Sequence, residues 1–155
     1  MKIFRISSDE DYQRCLEIRR KVFIEEQGVD EDIEIDAHEK EAIYFLAEIQ
    51  GTACATGRFR PYKQFLKFER IATLPEFRGK GIAKALMSTM QEVGHKEYPH
   101  HLQVMNAQAD AIPFYEKLGW VALGEPFFEA EIPHKVMIFP PSTNKAKILT
   151  TDTHR

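Results

Sequence analysis

From Gly79 to Glu97 the chain carries Ile82, Leu86, Met90 and Val93 at intervals of four, four and three residues, the spacing of one face of an α-helix. The run is entered from a strand-like segment, "FLKFERIATL", closed by Pro75, through a tight turn that holds Gly79 and Gly81. A helix with one apolar stripe has to bury it against a second apolar surface, and the segments around it are β-rich. The stripe must therefore lie against a sheet.

The other segments supply that sheet. "MKIFRIS" alternates as a strand, and "SSDEDYQRCLEIRRKVFIEEQG" reads as a capped helix with Tyr12, Leu16, Val22 and Phe23 on its apolar side, ending near Gly28. "AIYFLAEIQ" and "TACATGRFRPY" form two strands with a hairpin turn at Gln50 and Gly51. After the long helix, "HLQVMN" is a strand, and "ADAIPFYEKLG" is a short helix that admits Pro113 only in its first turn and stops at Gly119. "WVALGEPFFEAEI" and "HKVMIFP" close the order as a pair of strands: βα, three strands, then αβαββ. From Glu25 to Glu41 nine residues are acidic and Lys40 is the one lysine or arginine, which predicts a solvated loop.

A chain of 155 residues suits one domain, expected over residues 1–140, with residues 141–155 as a loosely ordered tail. Twenty-one basic against twenty-four acidic residues leave no field that recruits nucleic acid. No apolar run has membrane-spanning length, so no membrane partner is expected. Cys15 and Cys54 lack ligand-like spacing, which fits two small buried hydrophobes in a reducing cytoplasm. The six histidines show no ligand spacing, and no metal is expected. The closing edge strands are compatible with a homodimer.

The turn at "LPEFRGKGIAKALM" carries the chemistry. The first N–H groups of a helix have no intrahelical partner, glycine lets a ligand approach the backbone, and Arg78, Lys80 and Lys84 add positive charge. A P-loop needs Ser or Thr after Gly-Lys, and here Gly81 follows. A dinucleotide fingerprint needs GxGxxG, of which Gly79 and Gly81 supply half. An anion cradle and an ordinary turn into a helix both stay open on these residues alone.

Arg78-Gly79-Lys80-Gly81-Ile82-Ala83 also fits R/Q-x-x-G-x-G/A, the acyl-CoA pyrophosphate loop of the GNAT N-acetyltransferases. With "RIATLPEFRGKGIAKALM", "NAQADAIPFYEKLGW", "RRKVFIEEQGV" and "EIPHKVM", the chain resembles that family, in its bacterial ElaA-like and YjcF-like branch, over roughly residues 1 to 140. The resemblance implies an α+β fold in three α/β/α layers. Its central sheet is mixed, mostly antiparallel and splayed, with about six to seven strands flanked by helices.

The resemblance further implies transfer of an acetyl group from acetyl-CoA, a co-substrate, to a primary amine of a small molecule, or to a peptide or protein lysine, by direct attack in a ternary complex. The backbone of Ile71, Ala72 and Thr73 then takes the pantetheine arm, and Arg78, Gly79, Lys80, Gly81, Ile82, Ala83 and Lys84 take the pyrophosphate. Asn106 is a further donor contact, although Tyr115 follows it by nine positions, more than the seven of common members. Tyr115 matches the tyrosine that protonates the departing thiolate. Glu69, two residues before Ile71 and by strand alternation on the same face, is a candidate general base, as are His134 and Glu26. Glu26, Gln27 and Arg70 border the acceptor. Arg19, Arg58 and Arg60 are acceptor contacts or solubilising charges. The alternative is a non-catalytic acyl-CoA-binding or interaction module of the same fold.

An amine with pKa about 10.4 is neutral in roughly one molecule in 2,500 at pH 7, about 4.6 kcal/mol from a competent nucleophile. A thiol leaving near pKa 8.5 is less demanding, so the general base carries the larger task.

Overall fold

A computed structural model describes residues 1–141, so nearly all of the expected tail lies outside the described residues. The chain runs β1 (Lys2–Arg5), α1 (Asp9–Arg19), a π-helical segment (Arg20–Glu26), α2 (Glu31–Glu34), β2 (Ile43–Ile49), β3 (Thr52–Tyr62) and β4 (Phe65–Thr73). A 3-10 turn (Pro75–Phe77), α3 (Ile82–Glu97) and β5 (Leu102–Gln108) follow. A second 3-10 turn (Ala109–Ala111), α4 (Ile112–Lys117), β6 (Val121–Glu129) and β7 (Ile132–Phe139) complete it. Apart from α2, which falls in the stretch read as a loop, the order is the one read from the sequence. Gln50 and Gly51 make the hairpin turn with φ of 50° and 79°, the left-handed pair that suits the twist of a two-residue loop.

The strands form one seven-stranded sheet in the order β1-β2-β3-β4-β5-β7-β6. Only β4 and β5 are parallel, and α3 is their crossover. On one face α1 and the π-helical segment bury Cys15, Ile18, Val22 and Phe23 against Tyr44, Leu46, Ala72 and Leu74. On the other, α3 and α4 bury Leu86, Met87, Met90 and Tyr115 against Phe45, Phe59, Phe68, Met105 and Trp120. Gly94 lets α3 sit this close: a Cβ there would stand 2.8 Å from Leu66 Cδ2 and 2.9 Å from Gln103 Nε2. Among the described residues no helix is long and apolar enough to cross a membrane.

Two features open the middle of the sheet. The β4–β5 ladder covers only Phe65–Phe68 and Leu102–Met105. Beyond it, pairing with β3 jumps from Arg58↔Glu69 to Thr56↔Ala72, so Arg70 and Ile71 together face Gly57, with Arg70 at φ 58°. This bulge corrects the alternation assumed for β4. Glu69 turns to Arg58 and Arg60, whereas Ile71 packs into the α3-side core. The two side chains lie on opposite faces.

The acidic stretch is not simply a solvated loop. Arg19 Nε lies 2.6 Å from Glu34 and its Nη1 2.7 Å from Glu39. Arg58 reaches Asp36 at 2.7 Å and Glu39 at 2.9 Å, and Arg70 reaches Glu34 at 2.9 Å and Asp36 at 3.1 Å. Arg60 pairs with Glu69 at 2.9 Å, and the hydroxyls of Tyr12 and Tyr44 donate to Glu39. Arg19 and Arg58 have no exposed surface, so they are neither solubilising charges nor acceptor contacts. Four arginines answer four carboxylates, and removing one partner from such a buried set costs about 3–5 kcal/mol.

Burial pushes the Glu39 carboxyl up. Hydrogen bonds from Arg19, the Asp36 backbone N–H and Tyr12, with the charge of Arg19, outweigh it and leave Glu39 well below the usual carboxylate range. A carboxyl depressed on folding stabilises fully above its unfolded value and loses that contribution as pH falls toward its folded value. Glu39→Gln is therefore expected to lower stability at pH 7 and to flatten the loss below pH 4.5, the ordinary value. Urea unfolding followed at several pH values checks this.

Candidate active site

Where β4 and β5 part, a cavity of about 800 Å³ opens through the sheet. Its floor is the β4 backbone from Arg70 to Thr73, whose edge toward β5 has no ladder partner among the described residues while the other edge remains on β3. The glycine turn, the acidic segment with Ile33 and Asp36, and His134 of β7 all line it.

Gly81 caps α3 at φ 79° without a side-chain hydrogen bond. The first intrahelical bond runs from Ala85 N–H to its carbonyl at 3.1 Å, so the N–H groups of Ile82, Ala83 and Lys84 precede the ladder. A Cβ on Gly79 or Gly81 would meet nothing within 4 Å, which leaves open space over this backbone. The left-handed φ of both residues disfavours any side chain there. Gly79, Gly81, Ile82, Ala83 and Lys84 line the cavity. Lys80 does not line it: its ammonium sits 5.9 Å from the Phe77 ring centroid.

Arg78 ties the turn to both neighbours. Its Nε donates to Thr73 O at 3.0 Å, and its two Nη atoms reach the Glu26 carboxylate at 2.8 and 2.7 Å. Those bonds hold Glu26 below its ordinary pKa. Gln27 faces Gln108 in a reciprocal amide pair at 3.2 and 2.8 Å, a bridge from the π-helical segment to β5.

Tyr115 on α4 is 7% exposed and lines the cavity, and its hydroxyl has no hydrogen-bond partner among the described residues. Burial raises its pKa far above the ordinary value, so the hydroxyl keeps its proton at neutral pH. Asn106 projects from β5 into the same space. The 3-10 turn Ala109–Ala111 occupies the longer interval between Asn106 and Tyr115.

The structure brings together Glu26, Gln27, Glu69, Arg70, Asn106, Tyr115 and His134 around one cavity. They differ in their engagement. Burial raises the Glu69 carboxyl, but the hydrogen bond from Arg60 and the charges of Arg58, Arg60 and Lys67 bring it below its ordinary value. Arg70 is committed to Glu34 and Asp36. His134 is buried, with Nδ1 2.6 Å from the Ile132 carbonyl and its ring stacked on Phe127.

Sequence reasoning missed Ile33, Asp36, Gln108, Phe114 and Glu129 on the cavity wall. Phe114 reads as core packing in "FYEKLG" yet is 37% exposed. Arg58 and Arg60, alternating on one strand face below an acidic segment, are the pattern that points to the ionic cluster.

The acetyltransferase (GNAT) domain family matches residues 6–139. The Bacillus subtilis protein YyaT is 36% identical over 140 residues, 88% of this chain and 94% of its own. The Bacillus subtilis N-acetyltransferase YjcF is 30% identical over 139 residues, 89% of this chain and 99% of its own. Escherichia coli ElaA, a solved structure, has a similar fold, with a TM-score of 0.82 at 22% identity, covering 90% of this chain and 100% of that one.

Neither thiol belongs to the cavity. Both cysteines are fully buried, and burial pushes Cys15 up to about 11 and Cys54 in the same direction. In the native protein both are expected to resist a disulfide reagent at pH 8, and to react together only in denaturant. Thiol titration with and without urea checks this.

Proposed function

The chain belongs to the GNAT acetyltransferase family, and from that membership we propose that it moves the acetyl group of acetyl-CoA to a primary amine of a small molecule or of a peptide lysine. The observation that carries this reading is the continuity of one backbone track. The unpaired β4 edge from Arg70 to Thr73 leads into the uncapped N–H groups of Ile82, Ala83 and Lys84, with the Tyr115 hydroxyl in the same cavity.

Acetyl-CoA supplies an acyl thioester. The β4 edge offers its pantetheine amides the hydrogen bonds of an added strand, and the start of α3 offers its pyrophosphate backbone N–H groups, the helix dipole and Lys84. Asn106 faces the arm from β5. Tyr115, whose phenol keeps its proton at neutral pH, gives that proton to the sulfur as the C–S bond breaks. The acceptor enters from the side bounded by Gln27, Arg70 and His134, so amine and thioester meet in one complex and proximity does much of the work. Two free, buried thiols favour a reducing, cytoplasmic setting and direct transfer without an acyl-cysteine.

Calorimetry with acetyl-CoA tests the donor. Saturable binding is expected, weakened about tenfold or more by Gly81→Val, which combines a left-handed φ with bulk in the ligand's path, and less than about threefold by Lys80→Ala. No binding at millimolar ligand contradicts the reading. Thiol release over a panel of amines then separates an enzyme from a module that only binds. Tyr115→Phe is expected to slow turnover by about 10²-fold with acetyl-CoA affinity unchanged, and a variant as fast as the parent removes the role of Tyr115.

A further inference from the structure

The tip of the β6–β7 hairpin holds an arrangement that the proposal above leaves unused. Its two-residue turn is made by Ala130 and Glu131 at φ 50° and 63°, a left-handed pair that glycine or asparagine adopts more readily. The turn sets Glu129 opposite Ile132 as a cross-strand pair. Both then meet one histidine: the Ile132 carbonyl is 2.6 Å from His134 Nδ1, and a Glu129 carboxylate oxygen is 3.7 Å from Nε2. The ring is 6% exposed and stacked on Phe127, with centroids 5.9 Å apart at 23°.

A carbonyl oxygen can only accept, so a neutral His134 in this contact carries its proton on Nδ1. The lone pair is then on Nε2, in a side chain that lines the cavity with Tyr115. The two carboxylates that could compete for the role are occupied: Glu69 by Arg58 and Arg60, and Glu26 by Arg78. Glu34, Asp36 and Arg70 also line the cavity, with Arg70 paired to both carboxylates, Lys67 and Asp110 line it as well, and Gln108, opposite His134 on β5, is uncharged.

We propose that the β6–β7 tip makes His134 Nε2 the proton acceptor for the incoming amine, with the Ile132 carbonyl fixing the tautomer and Glu129 as the positioning residue that supports the imidazolium. This rests on the acetyl-transfer reading. An acceptor ammonium gives one proton to Nε2, and the freed nitrogen bonds to the thioester carbonyl carbon. The C–S bond breaks and the sulfur takes the Tyr115 proton. The surplus proton on nitrogen restores Tyr115, and His134 returns its own proton to water. Atoms and charge balance as ammonium plus thioester giving amide, thiol and one proton.

Long-range ¹H–¹⁵N NMR of histidine-labelled protein reads the tautomer directly, without turnover, and the Nδ1–H form is expected. Glu129→Gln removes the carboxylate 3.7 Å from Nε2 and is expected to move the acidic limb of kcat/KM to lower pH at low salt. That displacement should shrink in high salt. His134→Asn keeps a donor for the Ile132 carbonyl but lacks Nε2. It is expected to cut kcat/KM by about 10²-fold or more, with acetyl-CoA affinity by calorimetry within about twofold of the parent.

Tryptamine, spermidine, glucosamine and a lysine-containing peptide with a blocked N-terminus serve as acceptors. An Nε2–H tautomer, an unmoved acidic limb in Glu129→Gln, or a His134→Asn variant within about threefold of the parent overturns the proposal while leaving acetyl transfer standing. Absence of thiol release from the parent with all four acceptors overturns the transfer reading, and the base role with it.

Discussion

The site depends on a bulge in one strand. Arg70 and Ile71 share Gly57 as their partner on β3, and the left-handed φ of Arg70 is compatible with the two ion pairs its guanidinium makes with Glu34 and Asp36. The bulge comes right after the last β4–β5 pair, Phe68↔Met105. Past that point β4 keeps β3 on one side and leaves the other edge bare, which is the cavity floor. Gly57 fits the same constraint, since a Cβ there would stand 2.7 Å from Ile71 Cδ1 and 2.8 Å from Met90 Sδ.

The ionic cluster is the other half of that constraint. Its arginines come from α1, β3 and β4, and three of its four carboxylates come from the segment after the π-helical stretch. The fourth, Glu69, sits on β4 itself. Pairs buried this deeply contribute little net stability against an apolar alternative. Their effect is to fix where the acidic segment crosses the sheet, and so to set one wall of the cavity. Glu34, Asp36 and Glu39, three of the nine acidic residues that read as solvation in the sequence, are neutralised in place by arginines.

Element order, the hairpin at Gln50 and Gly51, and the glycine turn were legible in the sequence because each rests on local spacing or on residues with special φ. The glycine-turn wall of the cavity follows from the same local signals: Gly79 and Gly81 take left-handed conformations at the start of a helix with an apolar stripe. The face of Glu69 was not legible, because a bulge reverses alternation and depends on a partner strand. The fate of the acidic stretch was also hidden, since its arginine partners lie as many as 52 residues away in the chain. Glu129 and Ile132 come to His134 only through a hairpin turn whose residues, alanine and glutamate, carry no turn signature.

The central claim is that the bare β4 edge and the start of α3 together hold one extended donor. Backbone hydrogen exchange with and without saturating acetyl-CoA tests it most directly. The account predicts slowed exchange in two segments, residues 70–73 and 81–84, with β1 and β2 unchanged. Protection confined to other elements, or protection of α3 with none on β4, contradicts it.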